Sequence, residues 1–126
     1  MCSYGTPLLK PIIELDYFGF HEDQLPENKK LALFRILQEQ LNNIIKHAMA
    51  QNVWINLTST PHHAKLIIKD NGNGFDPAKI RRGLGLTNII NRAELFGGRV
   101  EIATSPGKGC KIKVWIPHAI TSGVFE

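Results

Sequence analysis

The sequence predicts an α/β fold, a two-layer α/β sandwich whose mixed sheet of about five strands is covered on one face by helices. Two observations carry this. The periodicities run strand, helix, hairpin, helix, hairpin along the chain, and only two segments are long enough and free enough of Gly and Pro to be substantial helices. Size agrees: 126 residues with 43% hydrophobic content support one sizeable core, so residues 1–126 are read as a single domain.

Residues 12–20 begin apolar, alternate briefly and end in aromatics, which predicts a strand. Residues 21–28 are polar and contain Pro26, a loop leading to a helix start. From Lys29 to about Met49 there is neither Gly nor Pro, and Phe34, Leu37, Leu41, Ile44 and Ala48 recur at spacings of three and four. These fall in one arc of a helix, with Glu39, Asn43, Lys46 and His47 in an arc on the opposite side. Residues 52–59 and 64–70 are β-rich runs around Thr60-Pro61-His62-His63, a hairpin pattern whose second strand delivers Asp70 into a glycine-punctuated loop. Residues 86–96 show helical spacing and stop at Gly97-Gly98. Residues 99–104 and 111–116 read as two more strands around the turn Ser105-Pro106-Gly107-Lys108-Gly109.

Bulk properties narrow the function. No apolar run approaches the roughly 18 residues of a membrane span, and the first residues open no signal-peptide pattern, so a cytoplasmic domain without direct membrane insertion is expected. Cys2 and Cys110 have neither CxxC spacing nor a nearby His cluster, and both are read as free thiols. The net charge of +4 comes from Lys and Arg spread along the chain in nothing longer than pairs, which argues against a nucleic-acid partner and suits a phosphate-bearing ligand.

The familiar phosphate loops are absent. There is no GxxxxGK[ST], and Gly83-Leu84-Gly85-Leu86-Thr87-Asn88 lacks the third glycine of the dinucleotide fingerprint. Nor is there the loop set of eukaryotic-type protein kinases. Four segments in order carry a different pattern: residues 37–48 with Glu39, Asn43, Lys46 and His47; Asp70-Asn71-Gly72-Asn73-Gly74-Phe75-Asp76; Gly83-Leu84-Gly85-Leu86; and Ser105-Pro106-Gly107-Lys108-Gly109. They resemble the N, G1, G2 and G3 boxes of the GHKL ATPase superfamily, whose architecture is the Bergerat ATP-binding fold, and most of all the catalytic domains of bacterial two-component sensor histidine kinases. The resemblance spans residues 31–117.

That resemblance implies ATP and Mg²⁺ as ligands. Mg²⁺ takes oxygen ligands and usually only one or two protein groups beside phosphates and water. Asn43 is the implied direct ligand, with Glu39 acting through a bound water, and Lys46 and His47 reaching phosphates. Asp70, at a strand end, is implied to accept from the adenine amino group, with Gly72 and Gly74 letting the backbone approach the ring. Residues 75–82 are a short lid, and the amides of Gly83, Leu84, Gly85 and Leu86 at a helix N-terminus face phosphates. The family's third glycine box usually ends in Gly-Thr. Here Gly109 is followed by Cys110, a weaker hydrogen-bond partner.

Taken singly, each segment also has a plain structural meaning: a solvated helix face for the Glu39 stripe, a simple turn for residues 70–74. His21-Glu22-Asp23-Gln24-Leu25-Pro26 reproduces the spacing of a phospho-acceptor histidine box, but an aromatic β-like run precedes it, and His21 is read as a surface-loop residue. The expected function is to bind MgATP and supply its γ-phosphate to a histidine on a separate dimerisation and phosphotransfer domain of a longer sensor kinase, with a response regulator as the indirect partner. A self-contained serine kinase of the same fold that binds and inhibits a sigma factor, or a degenerate interaction module without catalysis, are the alternatives.

Overall fold

The computed structural model describes residues 11–17, 25–74 and 86–117, with the backbone alone of residues 47 and 48. Strand β1 (Ile12–Asp16) precedes helix α1 (Glu27–Asn43), which runs on into a π-helical turn at Ile44–Ala48. Strands β2 (Asn52–Ser59) and β3 (His63–Asp70), helix α2 (Leu86–Leu95), and strands β4 (Arg99–Thr104) and β5 (Cys110–Pro117) follow. The five strands form one sheet in the order β1-β2-β3-β5-β4. β1 is parallel to β2 because α1 carries the chain back across the sheet, and the β2–β3, β3–β5 and β4–β5 pairs are antiparallel. This is the mixed two-layer architecture the sequence predicts.

Alternation decides which sheet face is covered. Val53, Ile55, Ala64, Leu66, Ile68, Ile112, Val114 and Ile116 are buried, whereas their neighbours along each strand are not. Ile36 and Ile44 from the first helical segment and Leu86, Ile89 and Ala93 from α2 close the core from one side. The β2–β3 turn is held by Thr60, whose amide donates to the His63 carbonyl at 2.8 Å and whose Oγ1 accepts from the His62 and His63 amides. α2 ends at Gly97, with φ +76, and the Gly98 amide returns to the Ala93 carbonyl at 2.8 Å. No helix among the described residues is long and apolar enough to cross a membrane.

The face of α1 differs from the expected apolar arc. Its buried line is Lys29, Ala32, Leu33, Ile36 and Gln40, while Phe34 is 60% exposed and Leu37 and Leu41 pack at the core's margin. The helix is turned by roughly a quarter of a revolution from the arc that hydrophobicity alone picks out. Two polar residues in the buried line hid it, and Phe34 and Leu37 instead help form the wall of a 520 Å³ groove with Leu15, Tyr17 and Leu57. The rotation has a consequence for the polar stripe: Glu39 and Asn43 sit beside the buried line, half-buried, rather than opposite it.

Lys29 is in that line because its ammonium Nζ donates to the Pro117 carbonyl at 2.7 Å, joining the first turn of α1 to the end of β5. Burial lowers its pKa from the ordinary 10.5. Between the lowered value and 10.5 the unfolded chain binds more protons than the folded one, so stability is expected to rise with pH across that window. Denaturant titrations at stepped alkaline pH should show this slope in the native chain and lose it in Lys29→Met.

Candidate functional site

Asp70 closes β3 with its side chain on the covered face, 2% exposed. Its Oδ1 accepts from the Gly72 amide at 2.8 Å, a turn in which the carboxylate stands in for a backbone carbonyl. Its Oδ2 is buried with no hydrogen-bond partner among the described residues. Burial pushes the Asp70 pKa above the usual 3.8, and the Gly72 amide opposes the shift. A buried acceptor without a donor is costly, and it matches a ligand bearing an N–H.

Behind Asp70 the loop after β3 and the turn before β5 interlock through their backbones. Gly74 has φ +64, and a Cβ there would lie 2.1 Å from the Ser105 carbonyl oxygen and 2.7 Å from that of Gly109. Gly109 has φ +77, and a Cβ there would lie 2.2 Å from the Asp70 carbonyl oxygen. The Gly107 amide donates to the Asn73 carbonyl. Gly74 is thus required by the fold itself, for its left-handed backbone and for this close approach, while Gly72 contributes its amide to Asp70.

Cys110 faces Asp70 directly across the β3–β5 pair and Thr104 across the β4–β5 pair. Burial, then the charge of Asp70, pushes the thiol up to about 12, with a Thr104 hydrogen bond acting the other way. It therefore stays a thiol at physiological pH. The Thr104 hydroxyl donates to the Gly109 carbonyl at 2.8 Å, bracing the turn that carries the cysteine.

On the helix side, Glu39 and Asn43 are one turn apart at the end of α1. Asn43 donates through Nδ2 to Oε1 of the buried Gln40 at 3.2 Å. That bond uses the amide nitrogen and leaves the oxygen as the group open to a cation. Lys46, exposed, and the backbone of His47 lie in the π turn, so they leave the straight α-helical stripe. The turn ends at Met49, with φ 52. Among the described residues no group of three metal-ligating side chains exists, so a cation here would depend on ligand oxygens, as Mg²⁺ does beside phosphates.

Two positioning residues escaped the sequence reading. Gln40 orients Asn43. Asn71 ties the two halves of the site: its Oδ1 accepts from the Gln51 and Asn52 amides at 3.0 and 2.9 Å, and its Nδ2 donates to the Asn52 side chain at 3.2 Å. An Asn following a strand is a weak turn signal; partners twenty residues away are not legible in the sequence. Leu86 begins α2 with its side chain in the core, so only its backbone can face a ligand. Gly83, Leu84, Gly85, residues 75–82, expected as a lid, and His21 lie outside the described residues.

The model of the histidine kinase-, DNA gyrase B- and HSP90-like ATPases matches residues 28–120. An uncharacterized sensor-like histidine kinase of Chloroflexus aurantiacus is 44% identical over 93 residues, covering 68% of this chain and 16% of that protein. The histidine-protein kinase/phosphatase DegS of Brevibacillus brevis is 36% identical over 96 residues, covering 75% of this chain and 25% of its own length. The chain thus spans a quarter or less of these two relatives. The ATP binding domain of PrrB from Mycobacterium tuberculosis superposes with a TM-score of 0.58 at 21% identity, covering 91% of this chain and 87% of that one. The blue-light activated histidine kinase of Erythrobacter litoralis gives a TM-score of 0.70 at 15% identity, over 89% of this chain and 39% of that one. With the family model matching residues 28–120 and relatives at 36–44% identity, the chain belongs to the histidine kinase-, DNA gyrase B- and HSP90-like ATPases, as an ATP-binding domain of the sensor histidine kinase type.

Proposed function

We propose that this domain holds MgATP with the adenine amino group on Asp70 and the metal on Asn43, and presents the γ-phosphate to a histidine on another domain of its parent protein. The observation that carries the reading is the buried Oδ2 of Asp70, without a hydrogen-bond partner among the described residues. The adenine amino group would supply the missing donor, whereas guanine presents an oxo group there and leaves two acceptors facing each other.

The metal assignment is supported by the Gln40–Asn43 bond, which orients a neutral oxygen donor at the helix end. Glu39 is assigned to a water of the metal shell. Lys46 and His47, the Gly83, Leu84 and Gly85 amides, and the backbone of Leu86 are assigned to the phosphates, and Cys110 to the base side beside Asp70. In the transfer, the bond from the γ-phosphorus to the bridging oxygen breaks, ADP leaves, and the phosphoryl group joins an imidazole nitrogen whose proton passes to a base on the acceptor domain. Positioning and electrostatics supply most of the acceleration.

Titrating the domain with ATP, ADP and GTP, with and without Mg²⁺, tests this. ATP should bind better than GTP and better with Mg²⁺ than with EDTA. Asn43→Ala should remove the metal's contribution, about a tenfold loss, while metal-free ATP affinity stays near its native value. Equal losses with and without Mg²⁺ would refute the metal assignment. Radiolabelled ATP should leave little label on the isolated domain, whose acceptor histidine is assigned elsewhere.

A further inference from the structure

The open face of the sheet carries a second feature. Cross-strand register arranges its side chains in three rows: Thr58, Lys65, Trp115 and Arg99; Asn56, Ile67, Lys113 and Glu101; Trp54, Lys69, Lys111 and Ala103. Cations scattered through the sequence thus converge as Lys65, Lys69, Arg99, Lys111 and Lys113. On β2 to β5 the single carboxylate of this face is Glu101, which meets Arg99 at 3.8 Å. Glu14 and Asp16 lie on the edge strand β1, next to Trp54 and Asn56.

Two details argue that the cations are more than solvating charge. Lys69 and Lys111 stand directly opposite each other across β3 and β5, a like-charge pair that weakens a sheet. Three of the five are held by indoles: Arg99 lies 4.3 Å and Lys65 5.7 Å from the Trp115 ring centre, and Lys69 lies 5.5 Å from that of Trp54. Fixed side chains lose less entropy on pairing with a partner, so they suit recognition better than free lysines do.

From this we infer that the open sheet face docks a carboxylate-rich segment of another polypeptide, separately from the nucleotide site on the covered face. Charge complementarity selects the occupant. Single-stranded nucleic acid would use the indoles for base stacking, and each already carries a cation. A lipid surface would use exposed apolar side chains, and the large exposed ones among the described residues all lie outside these rows, Ile12, Ile13, Leu15 and Tyr17 at the edge strand and the rest on or beside the helical segments.

The test uses a fluorescein-labelled oligo-glutamate peptide of about ten residues, long enough to cross the roughly 13 Å between Lys65 and Lys69. It should bind saturably, more weakly as salt rises. Lys69→Gln with Lys111→Gln should weaken it by about tenfold or more, without lowering the melting temperature, since the like-charge pair is relieved. MgATP affinity should be unchanged. A control with the same loss of charge on α1, Lys30→Gln with Arg35→Gln, should retain the peptide. Absence of saturable binding, or equal weakening by both double variants, would overturn the inference. Tighter binding of oligo-deoxythymidine or of phosphatidylserine vesicles than of the peptide would overturn it as well.

Discussion

Asp70→Asn is expected to abolish selective adenine-nucleotide binding while leaving the unliganded domain as stable as the native one at neutral pH, or more so. The substituted amide can still accept from the Gly72 amide through its oxygen. At the second position, however, it puts an N–H where Asp70 has an open oxygen, so the adenine amino group would meet another donor. Losing a charge-assisted hydrogen bond costs about 1.5–3 kcal/mol, or roughly 10- to 150-fold in affinity, before that clash is counted. The stability half follows from the raised pKa. Between 3.8 and that raised value the folded state binds more protons than the unfolded one, so the unliganded domain loses stability as pH rises through the window. Asparagine has no such term. Calorimetric titration with ATP and denaturant melts at stepped acidic pH would read both halves. A variant that lost binding only because it unfolded would contradict the assignment.

Gly109→Ala should have a large structural effect. The left-handed φ of +77 disfavours any side chain, and a Cβ 2.2 Å from the Asp70 carbonyl oxygen forces two backbones apart. Together these should cost about 2–4 kcal/mol of folding stability. Because the atom displaced belongs to Asp70, nucleotide affinity should fall in the fraction that remains folded. Gly107→Ala is the internal comparison: its φ is +80, but a Cβ there meets nothing within 4 Å. It should pay only the conformational penalty, about 1–2 kcal/mol. Equal losses for the two variants would show that the interlock contributes little.

β2 and β4 match their expected limits, and β3 and β5 differ by a residue or so, because alternation and turn chemistry are local signals. The positions of Asp70 at a strand end and of Asn43 one turn after Glu39 were legible for the same reason, being short-range patterns. The orientation of α1 was not. Periodicity counts apolar residues, and the true buried line contains Lys29 and Gln40, whose partners Pro117 and Asn43 repay their burial. The π turn after Asn43 was also hidden, since its composition is that of an ordinary helix. Asn71 and Thr104 act through contacts that only the folded chain creates.

The interlock of residues 70–74 with the turn before β5 bears on how affinity is divided between the parts of a nucleotide. Asp70 is seated by two β-strands and a glycine-to-glycine backbone contact before any ligand arrives, so recognition of the base should require little ordering of the chain. Adenosine and ATP would then share nearly the same gain from the base, and a small heterocycle offering one N–H to Oδ2 could occupy this spot without any phosphate. Such a fragment would find a receptor already shaped, which makes the purine end of the site the natural starting point for inhibitor design.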